Sequence, residues 1–159
     1  MTGRGERREI GDDLGEPVMA EFHARFPEVA EKETRMVIIM HDGDLGLPRG
    51  EYLFIESYCV RKIKDCDCRR VFLNVWNGKE FLATIGYGWE DKGYYANWFG
   101  TLATDQDLVS DMKGPILELT GYNSKYSTQL LDLFKKVLMK DSIYMERLKR
   151  HYKLFKSKR

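Results

Sequence analysis

Long apolar runs are missing from this sequence, and cysteine is scarce. No stretch approaches the roughly 20 consecutive apolar residues that span a bilayer, so we expect no transmembrane helix. The charged, glycine-rich segment from Met1 to Pro17 lacks the apolar core of a secretory signal, so we expect a cytoplasmic protein. Three cysteines among 159 residues are an odd number and too few for a disulfide framework.

Motifs of the common enzyme classes are also missing. The sequence has no H-E-x-x-H zinc signature, no nucleophile elbow and no phosphate-binding loop. These absences favour a binding or structural domain over an enzyme of a familiar class.

Charge is unevenly distributed along the chain, although the formal net charge is only +1. Residues 1–134 contain 16 basic and 23 acidic side chains, whereas residues 135–159 contain 10 basic and two acidic ones. Such asymmetry indicates either a surface for an anionic partner or the solvated face of a terminal helix.

The apolar pattern predicts one α+β domain over residues 17–159, preceded by a flexible tail over residues 1–16. Apolar runs predict strands at residues 36–40, 51–58, 71–76 and 81–87, and the aromatic segment 94–102 can add another. Residues 19–32 are predicted to form a helix in two parts, and residues 104–115 a loop. We expect an antiparallel sheet of four or five strands that helices cover.

Asn77-Gly78, which lies between two apolar runs, is a strong hairpin signal. A two-residue turn at these positions predicts that Trp76 lies opposite Lys79 and that Phe72 lies opposite Ala83. The third and fourth strands are therefore predicted to be antiparallel neighbours.

Two amphipathic helices are predicted near the C-terminus, over residues 124–139 and from Asp141 or Ser142 onwards. The apolar stripe of the second helix consists of Tyr144, Leu148, His151, Tyr152 and Phe155. This stripe directs His151 toward the core, where its ring nitrogens need partners.

Three cysteines, Cys59, Cys66 and Cys68, form the most informative pattern. Cys59 ends one predicted strand and the other two lead into the next, so pairing of the strands brings the three sulfurs to one end of the sheet. Cys66 and Cys68 are two residues apart and point to the same side in an extended backbone. Three converging thiolates suit a soft or borderline cation, with zinc as the default.

A tetrahedral zinc ion takes four ligands, and His151 is the histidine that the helical pattern turns inward. We therefore predict a structural Cys3His site at Cys59, Cys66, Cys68 and His151, in which zinc clamps the last helix to the sheet. His23, His41 or water are the other candidates for the fourth position. Inert core thiols and thiol redox chemistry are the alternatives to a metal.

An open fourth position favours a different function. The protein is then a small metalloenzyme or a thiol-based metal handler, with Glu56, Asp65 and Asp67 as candidate acid–base groups.

Basic residues flank the cysteines and recur on the last helix: Arg61, Lys62, Arg69, Arg70, Lys149, Arg150 and Lys153. They can offset the negative charge of a thiolate-rich zinc site, or together form a patch for nucleic acid or another anionic partner. The residues thus predict a zinc-binding domain with a structural metal, serving as an adaptor or nucleic-acid-binding module.

Two parts of the sequence carry a resemblance. The segment from Glu51 to Cys59, followed by Cys66-Asp-Cys-Arg-Arg, and the helix Glu146-Arg-Leu-Lys-Arg-His-Tyr resemble an uncharacterised family of small bacterial and archaeal proteins. This resemblance implies a prokaryotic source and no particular activity. The Cys-x-Cys element is also loosely similar to SEC-C and SWIM zinc motifs, whose Cys/His spacings this chain lacks.

Overall fold

An antiparallel sheet and several helices form the part of the chain that the computed structural model describes, residues 19–99, 106–119 and 121–157. The predicted α+β fold class is confirmed. The predicted tail at residues 1–16 lies outside the described residues. No helix among the described residues is long and apolar enough to cross a membrane.

The sheet is built around one long strand. In chain order the strands are β1 (Met19–Glu21), β2 (Arg35–Ile39), β3 (Gly50–Cys59), β4 (Arg70–Asn77), β5 (Glu80–Gly88) and β6 (Ile116–Leu117). Strand β3 pairs with β4 along one edge, while β1 and β2 share its other edge at opposite ends. Strands β5 and β6 continue the sheet beyond β4, and every pairing is antiparallel.

The helices are short except for the last one. They are α1 (Phe22–Arg25), α2 (Pro27–Glu33), α3 (Lys92–Phe99), α4 (Gln106–Lys113), α5 (Ser127–Lys136) and α6 (Ser142–Ser157). The carboxylate of Asp141 accepts hydrogen bonds from the backbone N–H groups of Ile143 and Tyr144 and so caps α6 at its N-terminus.

One face of the sheet carries the core. Alternate residues of the three long strands are buried there: Tyr52, Phe54, Tyr58, Val71, Leu73, Val75, Ala83, Ile85 and Tyr87. Helices α5 and α6 pack against this face, and the ring of Tyr87 lies 5.3 Å from that of Phe134. All five residues of the predicted stripe on α6 are buried, because the 3.6-residue period aligns them toward the sheet.

Four local predictions were wrong. Residues 94–99 of the aromatic segment lie in helix α3, because the Asp91 carboxylate accepts the Tyr94 N–H at 2.9 Å and starts a helix. Residues 100–102 lie outside the described residues. The predicted loop at 104–115 contains helix α4, and the first residues of the predicted N-terminal helix form β1. The hairpin is present, but its turn residues are Gly78 and Lys79, so Trp76 lies opposite Phe81.

Candidate metal centre

The three cysteines converge at the end of the sheet, as their spacing predicts. Their sulfur atoms all lie within 4.8 Å of one another, and those of Cys59 and Cys66 are 3.6 Å apart. All three side chains are buried and none forms a disulfide. We call Cys59, Cys66 and Cys68 the cysteine cluster, and this group of ligand atoms can hold a metal ion.

The cysteine loop, residues 60–69, connects β3 to β4 and sets the sulfur positions. The carbonyl of Lys62 accepts the backbone N–H groups of Asp65 and Cys66, which folds the first half of the loop into a turn. This turn brings Cys66 back beside Cys59 at the end of β3. The backbone N–H of Arg61 also donates to the Cys59 sulfur.

Side chains from α3 brace the second half of the cysteine loop. The carbonyl of Asp67 accepts hydrogen bonds from the Tyr94 hydroxyl and from the Trp98 indole at 3.3 Å. The hydroxyl of Tyr95 donates to the carbonyl of Arg69 at 2.9 Å. These bonds hold the backbone on both sides of Cys68, and such outer contacts orient metal ligands.

Helix α6 braces the loop from a second direction. Lys156 donates to the carbonyl of Cys66 at 3.1 Å and to that of Arg61 at 2.7 Å. The hydroxyl of Tyr152 donates to the Asp67 carboxylate at 2.7 Å. The last helix is therefore tied to the cysteine loop by Lys156 and Tyr152.

Arg69 is in the left-handed region of backbone conformation, with φ at +49°. A non-glycine residue there is disfavoured and needs support from its surroundings. Its guanidinium bonds to Asp67 and to Glu90 at 3.0 Å and 3.1 Å and lies over the ring of Tyr94. These contacts fix the sharp change of direction between Cys68 and the start of β4.

The sulfur atoms share protons unequally. Hydrogen bonds from Cys66 and Cys68 lower the pKa of Cys59 well below its ordinary value. The same hydrogen bonds, together with burial, raise the pKa values of Cys66 and Cys68. A cation held by the three sulfurs would displace the protons that these thiols retain.

His151 does not join the cysteine cluster. Its Nδ1 lies 2.7 Å from the carboxylate of Glu56, and its Nε2 lies 2.6 Å from that of Glu33. Both ring nitrogens are therefore engaged by carboxylates, and the ring stacks on Phe22 at 4.2 Å. The inward orientation that the sequence predicts is present, but the structure gives the ring two acidic partners in place of the sulfurs.

The seven predicted basic residues are divided between two clefts, apart from Arg70, which lines neither of them. Four of them form ion pairs: Arg69 with Asp67 and Glu90, Arg70 with Glu118, Lys149 with Glu146, and Arg150 with Glu33. Arg69, Lys149, Arg150 and Lys153 line one cleft, and Arg61 and Lys62 line a different one.

Sequence reasoning missed the residues that brace the loop. The aromatic segment was predicted to add a strand to the sheet, and no pattern in the sequence distinguishes Lys156 from the other lysines of the last helix. A usable signal was present for α3: Asp91 can cap a helix, and Tyr94 and Trp98 are spaced i, i+4. No local pattern connects either helix to the cysteine loop.

Comparisons with protein-family models, with curated proteins and with solved structures return no match. The functional assignment therefore follows from the geometry of the site.

Proposed function

We propose that this protein is a metal-binding domain in which the thiolates of Cys59, Cys66 and Cys68 hold one zinc ion. The observation that carries the proposal is the approach of three buried sulfurs to within 4.8 Å of one another. Thiolate ligands at this spacing favour a soft or borderline divalent cation. Zinc would also offset most of the negative charge that accumulates when all three thiols lose their protons.

A structural role for the metal is supported by how the loop is held. Helices α3 and α6 fix the carbonyls of Cys66, Asp67 and Arg69, so the sulfurs belong to a rigid segment. Metal binding would link the end of β3 to the start of β4 through this segment. For structural zinc, the free energy of binding adds directly to that of folding.

Two of the three candidate acid–base carboxylates offer little support for an enzyme. Glu56 is bound by His151 and Tyr58, and both oxygens of Asp67 are occupied by Tyr152 and Arg69. An acid–base role would need one of these contacts to break. The geometry therefore favours a structural metal over a small metalloenzyme.

One observation favours a metal handler as a second candidate. Among the described residues the cysteine cluster has three ligands and no fourth His, Cys, Asp or Glu. A tetrahedral ion would then take its fourth ligand from water or from another molecule. Such an incomplete site would suit transfer of the metal between proteins.

The test is metal content and stability of the wild type and of Cys66→Ser. Elemental analysis of reduced wild type should give about one zinc per chain, with Cys66→Ser losing both metal and thermal stability. Ser57→Ala, a buried change outside the cluster, is the matched control and should keep the metal. A metal-free wild type would refute the proposal.

Metal exchange separates the two candidates. A structural zinc should leave slowly when a chelator is added, and the protein should lose stability with it. Rapid exchange that leaves the melting temperature unchanged would identify a metal handler.

A further inference from the structure

A cleft of about 420 Å³ lies beside the cysteine loop and is lined by cations from three elements. Arg25 comes from α1, Lys156 from α6, and Arg61, Lys62 and Lys64 from the loop itself. No acidic residue is among those that line it. We call this cleft the basic pocket, and we propose that it binds a small phosphorylated anion carrying two or more phosphate groups.

Two of the five cations are held in place before any ligand arrives. The guanidinium of Arg25 lies 4.0 Å above the ring of Phe155 and donates to the Phe155 carbonyl. The ammonium of Lys156 donates to two carbonyls of the cysteine loop. A binding site with fixed charges loses less entropy on binding than one made of mobile side chains.

The remaining cations are available to the ligand. Within the described part of the chain, the side chains of Arg61, Lys62 and Lys64 have no carboxylate at ion-pair distance, and all three residues are exposed. Lys62 and Lys64 are free to reach the phosphate oxygens with point charges, while arginine can bind two oxygens at once.

A small anion fits this pocket better than a nucleic-acid strand does. An extended strand needs a continuous path of unpaired cations. The neighbouring cations Arg69, Lys149 and Arg150 instead form ion pairs with carboxylates. Five cations concentrated in one concave site match a compact ligand with several negative charges, such as pyrophosphate.

The basic pocket goes beyond the proposed metal function, although both use the same loop. Cys59 and Cys66 lie on either side of the three loop cations. The pocket nevertheless does not require the sulfurs to touch the anion. Metal content is therefore measured on every sample, so that loss of metal and loss of anion binding are distinguished.

The experiment is calorimetric titration of the full chain with pyrophosphate. The double variant Lys62→Gln/Lys64→Gln should weaken binding about tenfold or more, since it removes two charged contacts to the anion. Lys79→Gln/Lys135→Gln makes the same change in net charge at exposed lysines away from the pocket. This control should change the affinity by less than about twofold, because distant charges are screened by salt.

Three results would overturn the inference. The first is a metal-containing wild type that shows no saturable binding of pyrophosphate. The second is an equal loss of affinity in the control variant, which would indicate attraction to net charge alone. The third is tighter binding of a single-stranded oligonucleotide with a steep salt dependence, which would indicate an extended nucleic-acid surface.

Discussion

Replacing His151 tests whether this residue bridges two carboxylates or holds the metal. The imidazole is fully buried, at 0% exposure, and lies between Glu56 on β3 and Glu33 on α2. The hydroxyl of Tyr58 donates to the same Glu56 oxygen at 2.7 Å, and Arg150 pairs with Glu33 at the outer end. We call His151, Glu33, Glu56 and Tyr58 the histidine network.

The expected cost of His151→Ala follows from what it leaves behind. The side chain of Glu56 is only 4% exposed, so removing the imidazole leaves a buried carboxylate with the tyrosine hydroxyl as its remaining side-chain partner. Breaking a buried ion pair by deleting one partner costs about 3–5 kcal/mol. His151→Gln keeps most of the volume and one donor, so we expect a smaller loss of roughly 1.5–3 kcal/mol.

The assay is urea unfolding of wild type and both variants, with zinc content measured on each folded sample. We expect the free energy of unfolding to fall by these amounts while the zinc content stays that of wild type. A loss below about 1 kcal/mol in His151→Ala would refute the network reasoning, because that is no more than one ordinary hydrogen bond. If His151→Ala does not fold, the same two measurements are made on His151→Gln. A His151→Gln variant that folds but contains no zinc would show that His151 is a metal ligand.

Two further predictions concern pH and packing. Burial lowers the pKa of His151, but Glu56 and Glu33 outweigh it and raise the pKa above 6.5, while Arg150 and His151 lower that of Glu33 to about 2. The contribution of His151 to the free energy of unfolding is complete below pH 6.5 and is lost as the pH rises through the pKa of the folded state. The contribution of Glu33 is present above pH 4.5 and is lost as the pH falls toward 2. Wild type should thus lose stability above neutral pH more steeply than His151→Gln, and parallel urea-unfolding profiles would contradict this. Gly88→Ala places a methyl group against the Tyr95 hydroxyl, so we expect about 1–3 kcal/mol of destabilisation and about tenfold weaker zinc binding in a chelator competition. Tyr95→Phe removes the hydrogen bond to the carbonyl of Arg69 and should reproduce the fall in zinc affinity. Unchanged zinc affinity in both variants would show that Tyr95 does not support the metal site.

The sequence was sufficient for features that depend on local periodicity. The stripe of α6 follows from the helical period, and the meeting of the three cysteines follows from the pairing of the two strands that their loop connects. The predicted register of the hairpin was wrong, because the chain turns at Gly78 and Lys79 and not at Asn77 and Gly78. With Gly78 and Lys79 as the turn, Trp76 stacks on Phe81, and a register shift between Val75 and Trp76 places Val75 opposite Ala83.

The partners of His151 lay beyond local reasoning. Its two carboxylates are 95 and 118 residues away along the chain, and no spacing in the sequence connects them to α6. An inward histidine near three cysteines fits a metal site and an acidic network equally well. The contact of Glu33, at the end of α2, with α6 distinguishes the two, and that contact is a tertiary property.

The contact between Lys156 of α6 and the cysteine loop can form only after the last helix has been synthesised. Lys156 follows Cys66 by 90 residues, so a ribosome working at its usual rate adds it about 5–20 s later. During that interval the three thiols exist without the contacts from the last helix. The geometry of the cysteine cluster therefore forms only after α6 has been synthesised, and metal captured earlier would meet a looser site.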